Sequence, residues 1–338
     1  MLPVLPTSVI GSYPRPSWLK KAIRLYRLGK LEREQLEEAF NDAVTAVVRE
    51  QEVAGIDIPS DGEQRRDEMV EYFAERIKGF KFYGPVRVWG NNFFNKPAVA
   101  SRLEYLGPIV LNEYLFLRTV STRPVVKVTI TGPYTIADWS FNEYYSSKEE
   151  LVGGLARIIN AELRNLAEHG ANFIQIDEPA LTTHPKEMDW AVQLINKAAE
   201  GISAKIALHV CYSNYETLMP YIEEFTNISQ FALEFANRGF RELDILKDFP
   251  KELGFGVIDV HSKRVESPQE VYAAIKKVMK YVPPERLYIN PDCGLKLLPR
   301  RIAREKLENM SKGVLMVRRE LARRGIERVP FKTFAQSL

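Results

Sequence analysis

The chain has 338 residues, 45% of them hydrophobic, and 47 basic against 44 acidic side chains leave a net charge of +3. Such near balance argues against a polyanionic partner, and the length suits one α/β barrel of about 250 residues carrying insertions. No apolar run is long enough to cross a bilayer, and the opening MLPVLPTSVIGSYP has no basic region leading into an apolar one, so a cytoplasmic protein without a removed signal is expected.

Short apolar or β-branched runs alternate with longer amphipathic ones. The predicted strands are SVIGSYP (8–14), GIDIPSDGE (55–63), VVKVTITGP (125–133) and NFIQIDEP (172–179). Four more follow: KIALHVCYS (205–213), SQFALEFA (229–236), GFGVIDVHS (254–262) and RLYINPDCG (286–294). The segments between them have helical periodicity; in LEREQLEEAFNDAVTAVVREQEVAG, for example, Leu36, Phe40, Val44 and Val48 share one face. KEELVGGLARIINAELRNLAEHG and SPQEVYAAIKKVMKYV open with acidic or Ser-containing first turns, as helix starts do.

Eight strands, each followed by a helix, predict a (β/α)8 TIM barrel, with residues 1–338 as a single catalytic domain. Residues 77–107 fit no strand–helix unit and are expected to form an insertion, a hairpin and loop near the barrel mouth. A doubly wound sheet is the competing architecture, but no glycine-rich phosphate turn accompanies it here. Residues 299–332 carry 11 Lys/Arg against four Glu, interleaved with apolar residues at helical spacing. That pattern predicts the solvated face of a terminal helix and not a nucleic-acid surface.

In a barrel, chemistry collects at the carboxyl ends of the strands. Those ends read Ile10-Gly11-Ser12, Asp61-Gly62-Glu63, Thr131-Gly132-Pro133, Asp177-Glu178-Pro179, His209-Val210-Cys211, Glu234-Phe235, Asp259-Val260-His261 and Asp292-Cys293-Gly294. Both cysteines and two of the four histidines therefore converge on one mouth; His169 falls at a predicted helix end and His184 in a loop. On a strand His209 and Cys211 face the same way. With Glu234 and Cys293 they offer one nitrogen, two sulfurs and one oxygen, a set that zinc accepts. A packed histidine and buried thiols would explain the same residues separately. Zinc carrying two thiolates is electron-rich, better suited to binding a further thiol and displacing its proton than to activating water. Alkyl transfer to a thiol is the expected reaction.

The assembled motifs resemble the catalytic barrel of the cobalamin-independent methionine synthase family. They are IGSYPRP (10–16), SDGEQRRDEMVEYF (60–73), TGPYTIADWSF (131–141), QIDEPAL (175–181), HVCYS (209–213), EFA (234–236), VIDVHSKRV (257–265) and NPDCGLK (290–296). At this length the chain is similar to short, single-barrel archaeal members. The resemblance implies zinc held by His209, Cys211, Glu234 and Cys293. It implies homocysteine contacted by Ile10, Gly11, Ser12, Glu63 and Asp177, the two carboxylates suiting its ammonium group. His261 matches the family's proton donor and Trp139 a residue that contacts the pterin.

One departure concerns the methyl donor. Where the family has an Arg-Cys pair before Lys-Pro, this chain reads Phe93-Phe94-Asn95-Lys96-Pro97. The donor is left between a methylated folate or other pterin and a methylcorrinoid, the latter brought by a corrinoid protein. Methyl transfer from a corrinoid to another thiol, such as coenzyme M, is the alternative, against which Glu63 and Asp177 speak. A barrel hydrolase with paired carboxylates, or a zinc-stabilised scaffold, leaves more of these residues unexplained.

Overall fold

The computed structural model describes residues 1–87 and 93–333. In chain order, β1 (Leu2–Pro3) is followed by α1 (Ser17–Arg27), α2 (Arg33–Val53) and α3 (Met69–Ala74). Strands β2 (Ile77–Arg87) and β3 (Phe93–Tyr105) precede α4 (Leu111–Val120). Next come β4 (Val128–Thr131), α5 (Pro133–Asp138), the short β5 (Phe141–Asn142), α6 (Lys148–Glu168), β6 (Phe173–Asp177) and α7 (Met188–Ala198). The chain continues with β7 (Lys205–Val210), α8 (Tyr215–Leu218), β8 (Gln230–Leu233), β9 (Glu252–Ile258) and α9 (Pro268–Val278). It ends with β10 (Leu287–Pro291), α10 (Arg300–Ala322) and β11 (Arg328–Val329), the last paired antiparallel with β1. Residues 1–65, 113–128 and 230–332 form one compact unit, and residues 66–112 and 129–229 make up the bulk of a second.

Six strands form one sheet in the order β10-β9-β8-β7-β6-β4. The pairs β10 with β9, β8 with β9 and β6 with β7 are parallel. Two further segments continue the order through single parallel bridges, Thr7 with Ile289 and Ser8 with Ile58. The Lys127 N–H then donates to Pro59 O at 2.9 Å, at the entrance to β4. These parallel pairs, with helices between successive strands, are the α/β architecture that the alternating pattern predicts. Every residue of β4, β6, β7, β8 and β10 is buried, which suits parallel strands covered on both faces.

The first two predicted strands are reduced to those bridges. Pro6, Pro14 and Pro59 lack a backbone N–H to donate, and Gly55 and Gly62 adopt positive φ, so neither segment can sustain a ladder. Regular helices are also missing after β7 and β8. The first gap is filled by one turn of α8 and the 3-10 segment Met219–Glu224, which contains Pro220. After β8 come only the 3-10 turns Ala236–Arg238 and Leu243–Leu246, in a stretch broken by Gly239, Phe240 and Asp248, all at positive φ.

The helix signals that do work are chemically explicit. Ser147 Oγ accepts from the Glu150 N–H at 3.0 Å at the start of α6. Ser267 and Glu270 form a reciprocal capping box at α9, with Pro268 in its first turn. The insertion is an antiparallel hairpin of β2 and β3, extended by parallel pairing of β3 with β5; its tip, residues 88–92, lies outside the described residues. Helix α10 buries Ala303, Leu307, Met310, Val314, Val317 and Leu321 along one face, as its spacing predicts. One charge breaks the expected solvated pattern, because Lys306 is fully buried.

Candidate metal centre and substrate site

Strand β7 delivers His209 in its last turn of pleat and Cys211 just beyond it, 2% and 4% exposed. Period-two alternation puts both side chains on one face. Cys293 lies two residues past the end of β10 and is half-buried. The ring nitrogen of His209 and the sulfurs of Cys211 and Cys293 lie within 4.8 Å of one another. Zinc bonds of about 2.0–2.1 Å to nitrogen and 2.3 Å to sulfur put tetrahedral donors roughly 3.5 Å apart, a spacing within the bound that this group keeps. One imidazole and two thiols fit zinc by softness as well as by spacing.

Glu234, the fourth predicted ligand, does not belong to that close group among the described residues. It is buried directly after β8, and its Oε1 lies 3.8 Å from the Arg238 guanidinium, one turn further on.

Of the predicted homocysteine residues only Asp177 ends a strand; Ile10, Gly11, Ser12 and Glu63 lie in loops that follow the single bridges of Ser8 and Ile58. Asp177, 8% exposed, ends β6 in register with His209 on β7, and its Oδ1 accepts from Gln175 Nε2 at 2.7 Å. Glu63 sits in a left-handed turn at φ 53° after Gly62 at φ 67°, with its N–H donating to Asp61 Oδ1 at 3.0 Å. Only glycine suits position 62, where a Cβ would come within 2.6 Å of Val47 Cγ1. Ile10 and Gly11 are buried and Ser12 half-buried. That segment is tied on both sides: Ser60 Oγ donates to Gly11 O at 3.1 Å, and the Leu295 N–H donates to Ser12 O at 2.8 Å.

Trp139 is the half-buried residue that ends α5, and His261 is exposed, its N–H donating to Asp259 Oδ1 at 2.8 Å. Of the other two histidines, His169 ends α6 with its Nδ1 2.8 Å from Asn165 O, and His184 lies 3.1 Å from Asp138.

Three supporting residues escaped the reading of the sequence. Glu178, fully buried, accepts from the N–H groups of Tyr134 and Thr135 at 2.9 and 2.7 Å and from the Thr135 hydroxyl at 2.6 Å, holding the start of α5. Burial pushes its carboxyl up to about 7, against the pull of these donors. Asp292 and Lys306 hold the loops after β8 and β9 by similar means. The pairing of Asp177 with Glu178 and of Asp292 with Cys293 was the available signal, since a strand end needs acceptors for the turn that follows it.

Parallel strands with interleaved helices, together with one imidazole and two thiols able to hold a metal, define an α/β protein with a candidate metal centre. The particular family follows from comparison: residues 5–314 match the model for the catalytic domain of cobalamin-independent synthase, and the chain belongs to that family. It is 61% identical over 332 residues to the methionine synthase of Thermococcus kodakarensis, covering 98% of both chains. It is 52% identical over 331 residues to the methionine synthase of Sulfurisphaera tokodaii, again covering 98% of each. Its fold is similar to the solved B12-independent methionine synthase of a Shewanella species in complex with selenomethionine. That likeness has a TM-score of 0.86 and 31% identity, and covers 95% of this chain and 99% of that one.

Proposed function

We propose that this enzyme is a methionine synthase of the cobalamin-independent type: it transfers a methyl group to the thiol of L-homocysteine, on a zinc site built from His209, Cys211 and Cys293 with Glu234. The observation that carries this reading is the gathering of those three soft donors within 4.8 Å. The relatives named methionine synthase, similar over nearly their whole length, support it. So does the Shewanella complex, because selenomethionine is the product with selenium in place of sulfur.

Zinc held this way supplies Lewis acidity that lowers the pKa of an incoming thiol. The remaining work belongs to side chains. Asp177, next to His209 in the sheet, and Glu63 accept charge-assisted hydrogen bonds from the substrate ammonium and so orient it. The Ile10–Ser12 segment, held by the Ser60 hydroxyl on one side and the Leu295 N–H on the other, forms a fixed wall for the substrate chain. Trp139 offers a flat face to the donor. With a methylated folate or other pterin as donor, the new S–CH3 bond forms as the N–CH3 bond breaks, and the electron pair stays on nitrogen. His261 provides the proton that makes that amine a competent leaving group. A methylcorrinoid donor needs no such proton. We read residues 1–338 as one catalytic domain acting in the cytoplasm, as befits a metabolic enzyme of this family. Among the described residues no helix is long and apolar enough to cross a membrane.

The test is a matrix of substrates. Purified protein is assayed for zinc, then for methyl transfer from a methylpterin and from methylcobalamin, to homocysteine and to coenzyme M. Transfer to homocysteine is expected from at least one donor. Transfer to coenzyme M alone would overturn the substrate assignment and leave the metal chemistry standing.

A further inference from the structure

The carboxylate of Asp292 is fully buried, one residue before Cys293. Its Oδ1 accepts from the N–H groups of Phe235 and Ala236, both at 3.0 Å, and its Oδ2 accepts from the Asn237 N–H at 2.7 Å. Those three residues immediately follow Glu234. The Asp292 N–H donates to Ile258 O at 2.9 Å, at the end of β9, the strand lying between β8 and β10. Asp292 therefore stands at the end of β10 and reaches over β9 to grip the turn leaving β8.

The reach depends on Gly256. A Cβ at that position of β9 would lie 2.4 Å from Asp292 Oδ1, 2.7 Å from Leu233 O and 3.0 Å from the Asp292 Cα, so any side chain there would displace the carboxylate together with the backbone at the end of β8. Both carboxylate oxygens are occupied by backbone donors, which leaves Asp292 poorly placed to ligate anything itself. Its effect falls on its neighbours. Glu234 and Cys293 are each one residue away from an end of the same three-bond clamp.

We propose that Asp292 is a positioning residue that sets the placement of Glu234 relative to Cys293 and thereby tunes the affinity and geometry of the metal site. The inference rests on the zinc reading given above. Groups that orient metal ligands without touching the metal are worth about 10- to 100-fold in affinity. A carboxylate meeting three N–H groups also gives more directional hold than an amide, which would turn a donor toward at least one of them.

The test compares Asp292→Asn, Gly256→Ala and, as a control, Glu162→Gln. Glu162 is a fully buried carboxylate on α6 that accepts from the N–H groups of Ile109 and Val110 at 2.9 and 2.8 Å, a clamp of the same kind remote in sequence from the proposed ligands. Each protein is titrated with zinc against a chromogenic chelator, and its cobalt(II) form is read by visible absorption, which reports ligand geometry. Asp292→Asn and Gly256→Ala are expected to weaken zinc binding by about 10- to 100-fold and to shift the cobalt bands. Glu162→Gln should lose stability with no change in either. Should Asp292→Asn or Gly256→Ala fail to fold, Asp292→Glu, which keeps a carboxylate but moves its oxygens off the three N–H groups, gives the same readout. Wild-type zinc affinity in either clamp variant, or an equal loss in the control, overturns the inference. Wild-type protein that binds no zinc would instead overturn the functional reading beneath it.

Discussion

Lys306, buried on α10, donates to both carboxylate oxygens of Glu266, at 2.8 and 3.1 Å. The same ammonium also donates to Asp259 O at 2.9 Å and to Arg264 O, while the Asp259 N–H donates to Glu266 Oε1 at 3.1 Å. A buried pair thereby fastens both ends of the loop that carries His261. Breaking such a pair leaves one charge uncompensated and costs about 3–5 kcal/mol. Lys306→Met is expected to lower unfolding free energy by that amount in urea titrations. A double replacement, Lys306→Met with Glu266→Gln, should recover part of the loss. Full additivity of the two single changes would show that they are not coupled.

The proposed proton donor, His261, is tested by comparing the two kinds of donor. His261→Asn should slow transfer from a methylpterin by about 100-fold or more, the range of general-acid catalysis, and transfer from methylcobalamin far less. Single-turnover assays with each donor measure this. Equal losses would count against the proton-donor role.

Glu178 gives a pH dependence. Its carboxyl is pushed up to about 7 by burial, with the Thr135 and Tyr134 donors pulling it down and the charge of Asp177 adding to the rise. An acid whose folded-state pKa exceeds its unfolded value near 4.5 holds its proton more tightly when folded. Stability from this group therefore falls as pH rises from about 4.5 to 7 and is level above that, a change of about 3 kcal/mol. Urea unfolding of wild type and Glu178→Gln from pH 4 to 8 should show wild type losing ground to the variant across that window. Parallel curves would contradict it.

The fold was legible where β-branched runs are long enough to be strands and helices carry explicit caps, as at Ser147 and Ser267. It was misread where proline and positive-φ residues cut an element short, around Pro59 and between Ala236 and Pro250. Period two sufficed to place His209 beside Cys211. Position at a strand end sufficed for Cys293, because a barrel brings those ends together. Glu234 was harder, since sequence order says nothing about how far a carboxylate turns toward a neighbour such as Arg238. The partners of the clamps made by Asp292, Glu178 and Lys306 were hidden for a related reason, although the acidic strand ends at Glu178 and Asp292 were visible. Each depends on reach across a strand or into a loop, permitted in one case by the missing side chain of Gly256.

The central claim is that homocysteine is methylated at a zinc held by His209, Cys211 and Cys293. Its most direct test removes and restores the metal in one preparation while methionine formation is followed. Activity should vanish with zinc, return in proportion to zinc bound up to one per chain, and fail to return in Cys211→Ser or Cys293→Ser. Undiminished methionine formation by metal-free protein, or full activity in both serine variants, would contradict the claim.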